Sequence, residues 1–224
     1  MADQDNRNTD ISYWSLHERF WALRGRAIAE YSQIETTLCF LLSSFSGMQM
    51  TFASSVFFSV TSSRDVATML NKLMKKRHGE TYKVFWTTLK REIQELTHLR
   101  NKIVHWHIVQ FSRADGAGGI SLMQTDVYNL NNVSETTMDS VQLADFIDRC
   151  SFIWRLCFEF HRFLDPRMAA YMGDEETLRT WRDIFQSRVV YPPPSTHPLF
   201  PTYKVPETRL PPSPPSPQSQ GGPV

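Results

Sequence analysis

The chain has 224 residues, enough for one sizeable core with room for a tail. Apolar residues make up 41% of it and aromatics 12%, so most of the chain can fold. A formal net charge of +1 argues against a nucleic-acid or membrane-surface binder acting through bulk charge, although it leaves room for a local basic patch.

The opening decapeptide MADQDNRNTD is polar and contains no apolar signal region, so residues 1–10 are read as a disordered N-terminus of a cytoplasmic protein. The first long helix is expected from about Ile11 to Phe45. Along it Ala27, Tyr31, Ile34, Leu38, Leu41 and Phe45 recur at spacings of four and three, the stripe of a bundle helix. Gly47 is the expected stop. Residues 36–63 carry no charge, which raises the question of a membrane span. The many Ser and Thr residues among them argue against one, and no membrane association is assigned. FASSVFFSV is read as a loop or short helix.

A second helix is expected from Ser63 to His78, capped by Thr61, Ser62 or Ser63 and ended by Gly79. The third runs from about Glu80 to Val104, with Tyr82, Phe85, Leu89, Ile93, Leu96, Arg100 and Ile103 on one face. HIVQFS and ISLMQTDVYNL, separated by RADGAGG, then predict a two-stranded hairpin. The fourth helix spans about Thr137 to Leu164 and stops at Asp165-Pro166. Its stripe is Phe146, Ile153, Leu156, Phe160 and Phe163. After Gly173 an acidic start leads into a fifth helix ending near Val189.

From Tyr191 the chain becomes Pro- and Ser-rich without helical periodicity. Residues 191–224 are read as a disordered, partly polyproline tail, with Leu199, Phe200 and Tyr203 as side chains able to dock. Arg209, Pro212 and Pro215 fit an R-x-x-P-x-x-P pattern, although such patterns are common by chance in Pro-rich tails. The three cysteines Cys39, Cys150 and Cys157 form no CxxC pair and read as small buried hydrophobes. The expected fold is therefore all-α. A four- to five-helix up-and-down bundle over residues 11–190 carries a small β-hairpin insertion and a C-terminal tail.

The segment LRNKIVHWH, residues 99 to 107, carries the chemistry-bearing residues. Arg100 and His105 have R-x4-H spacing, Asn101 follows the arginine, and His107 offers an R-x6-H alternative. A plain reading exists: basic residues near a helix C-terminus favour its dipole and its free carbonyls, which would account for Arg100, Lys102 and His105. His105 and His107 would share a face if they began a strand, with His98 near. No Cys or carboxylate completes a tetrahedral set at familiar spacing, so no metal is assigned and no cofactor is expected. P-loop, G-x-G-x-x-G, G-x-S-x-G and H-E-x-x-H motifs are missing.

The R-x4–6-H spacing with a polar residue after the arginine resembles the signature of the HEPN superfamily. The layout is similar too: a long helix containing YSQIETTL, then VFFSVTSSRDVATMLNKL, then VFWTTLKREI ending in LRNKIVHW, over roughly residues 20 to 165. The resemblance implies a dimeric helical bundle that cleaves RNA without metal, the two motifs meeting in a composite site. It also implies a defence or toxin–antitoxin setting, with an antitoxin or other protein as partner. Arg100 and His105 would be catalytic, and Asn101 and His107 supporting. Helical geometry sets a constraint: five residues at about 100° each place Arg100 and His105 roughly 140° apart if one helix holds both. Glu35, beside Ile34 on the first helix, is positioned to pair with Arg100 if the first and third helices pack. An ordinary buried-edge ion pair would look the same. A non-catalytic interaction module keeping the motif as a relic is the competing reading.

Overall fold

A computed structural model describes residues 3–112, 118–124 and 137–200, with side chains described from residue 16 on, apart from 111, 112 and 118. Four helices come first: α1 (Asp3–Ser46), α2 (Met50–Ser59), α3 (Ser63–His78) and α4 (Lys83–His105). An antiparallel sheet follows, formed by β1 (His107–Ser112), β2 (Gly118–Met123) and β3 (Thr137–Met138) in that order. The chain then returns to helix in α5 (Ser140–Leu164), α6 (Pro166–Ala169) and α7 (Glu175–Gln186). The fold is mostly α with a small β insertion, as the periodicities predict.

Several boundaries differ for local physical reasons. α1 begins at Asp3 rather than Ile11, because no Pro or Gly interrupts the first 24 residues and a nucleated helix propagates. The segment read as a disordered N-terminus is therefore helical from Asp3 on. The charge-free stretch is not one helix: Gly47, at φ +75°, breaks it between α1 and α2. No helix among the described residues is long and apolar enough to cross a membrane. The hairpin gains a third strand, since Leu122 and Met123 of β2 also pair with Met138 and Thr137. That pairing moves the start of α5 to Ser140, where Asp139 and Gln142 form a reciprocal capping box. The expected Gly turn of the hairpin, 113–117, lies outside the described residues.

α3 needs no correction. Ser62 accepts from the Asp65 N–H at its start, and Gly79, at φ +60°, ends it.

α1 and α4 run antiparallel, with Phe45 against Trp86 at one end and Arg24 against Ile103 at the other. α5 runs parallel to α1. The Trp154 indole donates to Glu30 at 3.0 Å, and further along Ser44 bonds His161 at 2.7 Å. Phe85 of α4, Phe160 of α5 and Phe185 of α7, all fully buried, join three helices in one cluster, with ring centroids 4.9 to 5.2 Å apart. Ile120 and Leu122, two residues apart on β2, put one face of the sheet into the core.

The tail boundary is corrected. Tyr191, His197 and Leu199 pack on α5 and α7: the Phe152 ring lies 5.9 Å from Tyr191 and 5.5 Å from His197, and Trp181 lies 6.0 Å from His197. A Pro-rich segment asks for few backbone partners, so Tyr191, His197 and Leu199 suffice to lay it over an aromatic face. Tyr203 and the R-x-x-P-x-x-P stretch lie outside the described residues.

Cys39, Cys150 and Cys157 are free and buried, and burial pushes the Cys157 thiol up to about 12. None is poised to act as a thiolate at neutral pH.

Candidate functional site

α4 is continuous through both Arg100 and His105, and His105 is its last residue. The two side chains therefore leave the helix on different faces, about 140° apart. Arg100 belongs to the inward stripe. Phe85, Leu89, Leu96 and Ile103 on that stripe are buried, and Arg100 is half-buried among them. His105 belongs to the outward face, where Gln94, His98 and Asn101 are exposed as well. Among the described residues no hydrogen bond joins Arg100 to His105, and the bond Arg100 makes is to Asn101.

Arg100 crosses towards α1. Its guanidinium lies over the Tyr31 ring, 5.5 Å from the centroid. Its Nη1 donates to the Asn101 Oδ1 at 3.1 Å, while Nε is buried and has no partner. The fork is thus seated against an aromatic face, and its Nη1 end emerges beside an exposed asparagine. Tyr31 is itself anchored. The Thr97 hydroxyl donates to the Ile93 carbonyl at 2.7 Å, so the Tyr31 hydroxyl is the donor to Thr97 Oγ1 at 2.8 Å.

Glu35, one helical turn beyond Tyr31, is half-buried. Burial raises its carboxyl above the ordinary value, and the Arg100 charge pulls it back only in part. No ion pair within 4.0 Å joins Glu35 to Arg100 among the described residues. The coupling is electrostatic at a distance.

His105 and His107 belong to different elements, the end of α4 and the start of β1, with the buried Trp106 between them. The shared strand face expected for them does not form, because the helix runs through His105. His107 pairs with Met123 and is exposed. Among the described residues no group of three or more His, Cys, Asp or Glu is close enough to hold a metal ion.

Arg24, which belongs to no motif, also reaches this site. Its Nε donates to the Ile103 carbonyl at 2.8 Å, and its Nη2 donates to the carbonyls of Val104 at 2.8 Å and Trp106 at 3.2 Å. These are carbonyls that the end of α4 leaves without helical partners. An arginine from another helix thus caps the motif helix. Arg100 makes no such bond, so capping does not account for it. A sequence signal existed: Arg24 sits seven residues before Tyr31, on the same side of α1, where an apolar residue would continue the stripe.

Models of known protein families, curated proteins and solved structures were all compared with this chain, and none matches.

Proposed function

We propose that this chain is a HEPN-like, metal-independent endoribonuclease of the cytoplasm, acting through an Arg/His site completed across a two-fold dimer. The observation that carries the reading is the division of α4 between its faces. Arg100 is seated with its fork tip beside Asn101, His105 stands exposed on another face, and Arg24 holds the end of the helix. Completing the site requires a histidine from elsewhere, and a second copy supplies one. Surface next to the motif suits that contact. Trp21 and Ile28, 49% and 36% exposed, flank Arg24 on α1.

The chemistry uses the substrate's own nucleophile. The 2′-oxygen of RNA attacks phosphorus as its proton passes to a base, the bond to the 5′-oxygen breaks, and that oxygen takes up a proton. Histidine exchanges protons near neutral pH, and His105 fills that role. Arg100 offers the parallel donors of its guanidinium fork to the charged phosphorane oxygens. Asn101 holds the guanidinium tip. The resemblance adds a defence or toxin–antitoxin setting, with an antitoxin or other protein partner.

The second reading is a non-catalytic interaction module. It is favoured by one observation: Arg100 packs on Tyr31 within its own chain, as a structural arginine would.

Mixing two inactive variants separates the readings. Purified protein is incubated with total cellular RNA in EDTA, and 2′,3′-cyclic phosphate ends are the expected product. Arg100→Ala and His105→Ala are each expected to be inactive alone. Co-refolded, they regain roughly a quarter of wild-type activity, because half the dimers are mixed and each mixed dimer holds one intact site. Wild-type protein that leaves RNA uncut supports the module.

A further inference from the structure

Residues 72–91 hold seven Lys and Arg against a single Glu, a local +6 within a chain whose formal total is +1. Three of these lysines converge. Lys75 from α3, with Lys83 and Lys90 from α4, lines a cleft of about 290 Å³ between the two helices, together with Asn71 and Trp86. Lys90 Nζ donates to the Asn71 Oδ1 at 2.8 Å, which holds its charge at the cleft. Trp86, itself buried, forms part of the cleft wall.

Helix-dipole compensation explains only part of this cluster. Lys75, Lys76 and Arg77 occupy the last turn of α3, where cations are favoured. Lys83 is the first residue of α4, where the dipole is positive and a cation is disfavoured. A lysine held there adds to the helix N-terminus instead of offsetting it, which suits an anion. The anion now present is internal: Glu80 lies 2.8 Å from Lys83 and 3.7 Å from Lys75.

The same face of α4 leads to the motif. Lys83, Thr87, Lys90, Gln94, His98, Asn101 and His105 recur every three or four residues, a polar stripe with only Lys90 partly covered. Glu92 and Glu95 are turned to α5, where Arg149 bonds both at 3.0 Å. The stripe runs about 22 Å from Lys90 to His105.

We infer that the lysine cleft between α3 and α4 binds the phosphodiester backbone of single-stranded RNA, and that the outward face of α4 carries the strand from there to His105. Glu80 acts as a competing carboxylate that RNA phosphate displaces. The occupant is RNA because the charge forms a groove continuous with a stripe of uncharged hydrogen-bonding side chains, where a flat lipid surface would leave the cleft floor unused. The inference rests on the ribonuclease reading for its destination but not for its binding step.

The test measures binding of a labelled single-stranded RNA by fluorescence anisotropy, in EDTA and across a salt series, with His105→Ala present so that nothing is cut. Replacing Lys75, Lys83 and Lys90 together by Gln is expected to weaken binding about 10- to 100-fold at 0.1 M salt, and to lower the slope of log affinity against log salt by about 2. Glu80→Gln is expected to tighten binding, since it removes the carboxylate that competes with phosphate for Lys75 and Lys83, and it keeps the test decisive if the triple variant unfolds. Unchanged affinity and slope in the triple variant, or weaker binding by Glu80→Gln, overturns the inference. Binding to phosphatidylserine vesicles in place of RNA overturns it too. RNA binding lost in the triple variant, beside a wild type that cuts no RNA, leaves the inference standing and removes the ribonuclease. Cleavage that depends on Arg100 and His105 but not on the three lysines does the reverse.

Discussion

Arg24 Nε donates to the Ile103 carbonyl at 2.8 Å across 79 positions of sequence, and through it α1 fixes where α4 ends. The same guanidinium also serves Val104 and Trp106, so it spans the turn from helix into β1. The position of His105 depends on that clamp.

Arg24→Ala is therefore expected to destabilise the fold by about 1–2 kcal/mol, the scale of a charged hydrogen-bond donor lost from a partly exposed helix end. Arg24→Lys keeps the charge but not the fork and should recover less than half of that loss. Chemical denaturation at pH 7 reads both. Stability of the alanine variant equal to wild type would show that water replaces the arginine without penalty.

The two motif residues are expected to fail differently. Arg100→Lys keeps the charge but loses the planar contact with Tyr31 and the bond to Asn101, so cleavage falls while the fold survives. His105→Ala removes the proton-transfer group and should lower the rate by about 10² to 10⁴. His107→Ala should have a smaller effect, since His107 lies on the sheet beyond the end of α4. Initial rates of RNA cleavage with circular dichroism controls decide it. A dead His107→Ala beside an active His105→Ala would transfer the catalytic role to His107.

Glu35 should lower stability where it stands. Its folded-state carboxyl value is raised, so the interaction favours folding only below the ordinary carboxylate range and is lost as pH rises through the folded value. Ionising the half-buried carboxyl at higher pH costs folding free energy. Glu35→Gln is expected to raise the melting temperature slightly at pH 7 and to show no such gain at pH 4. A clear loss at pH 7 would mean that attraction to Arg100 outweighs burial.

Acid should loosen the fold before its exposed carboxylates titrate. Burial lowers the values of His161 and His197. The His161 Nδ1 is bonded to the Ser44 hydroxyl at 2.7 Å, and the His197 Nδ1 accepts the Leu199 N–H at 3.1 Å. Because the folded values are depressed, the unfolded chain takes these protons first. Stability is full above about pH 6.5, the unfolded histidine value, and is lost as pH falls from there through the folded values. Thermal melts between pH 8 and 5 should show the decline, and His161→Gln with His197→Gln should flatten it. An equally steep decline in the double variant assigns it to other groups.

The chain beyond Val190 contributes to the core. Leu199 is 9% exposed, and Leu199→Ala is expected to remove about 2 kcal/mol, the low end for a buried leucine at the edge of a core. Ending the chain at Val190 should lower the melting temperature further, because Tyr191 and His197 leave Phe152 and Trp181 uncovered. A truncated protein that melts with the full chain would show that the packed segment adds nothing to stability.

The features legible along the chain are local. The limits of α3 follow from Ser62 and Gly79, and α5 ends at Leu164 because Asp165 precedes a proline, each a matter of dihedral angles and nearby donors. The spacing of Phe85, Leu89, Leu96, Arg100 and Ile103 already placed Arg100 among inward residues, because a helix has a fixed turn, but it left open whether the helix reaches His105. The sequence did not disclose that Arg24 caps α4, that Arg100 rests on Tyr31, that Lys75 of α3 meets Lys83 and Lys90 of α4 across one cleft, or that Tyr191 to Leu199 lie on α5 and α7. These contacts emerge only when the helices pack. Each joins two elements whose separate patterns are satisfied in several packings, and selecting one takes the burial of Phe85, Phe160 and Phe185 against each other. Local propensity acts within a turn or two of the chain, whereas a guanidinium finds a carbonyl 79 residues away only after the core has brought their helices together.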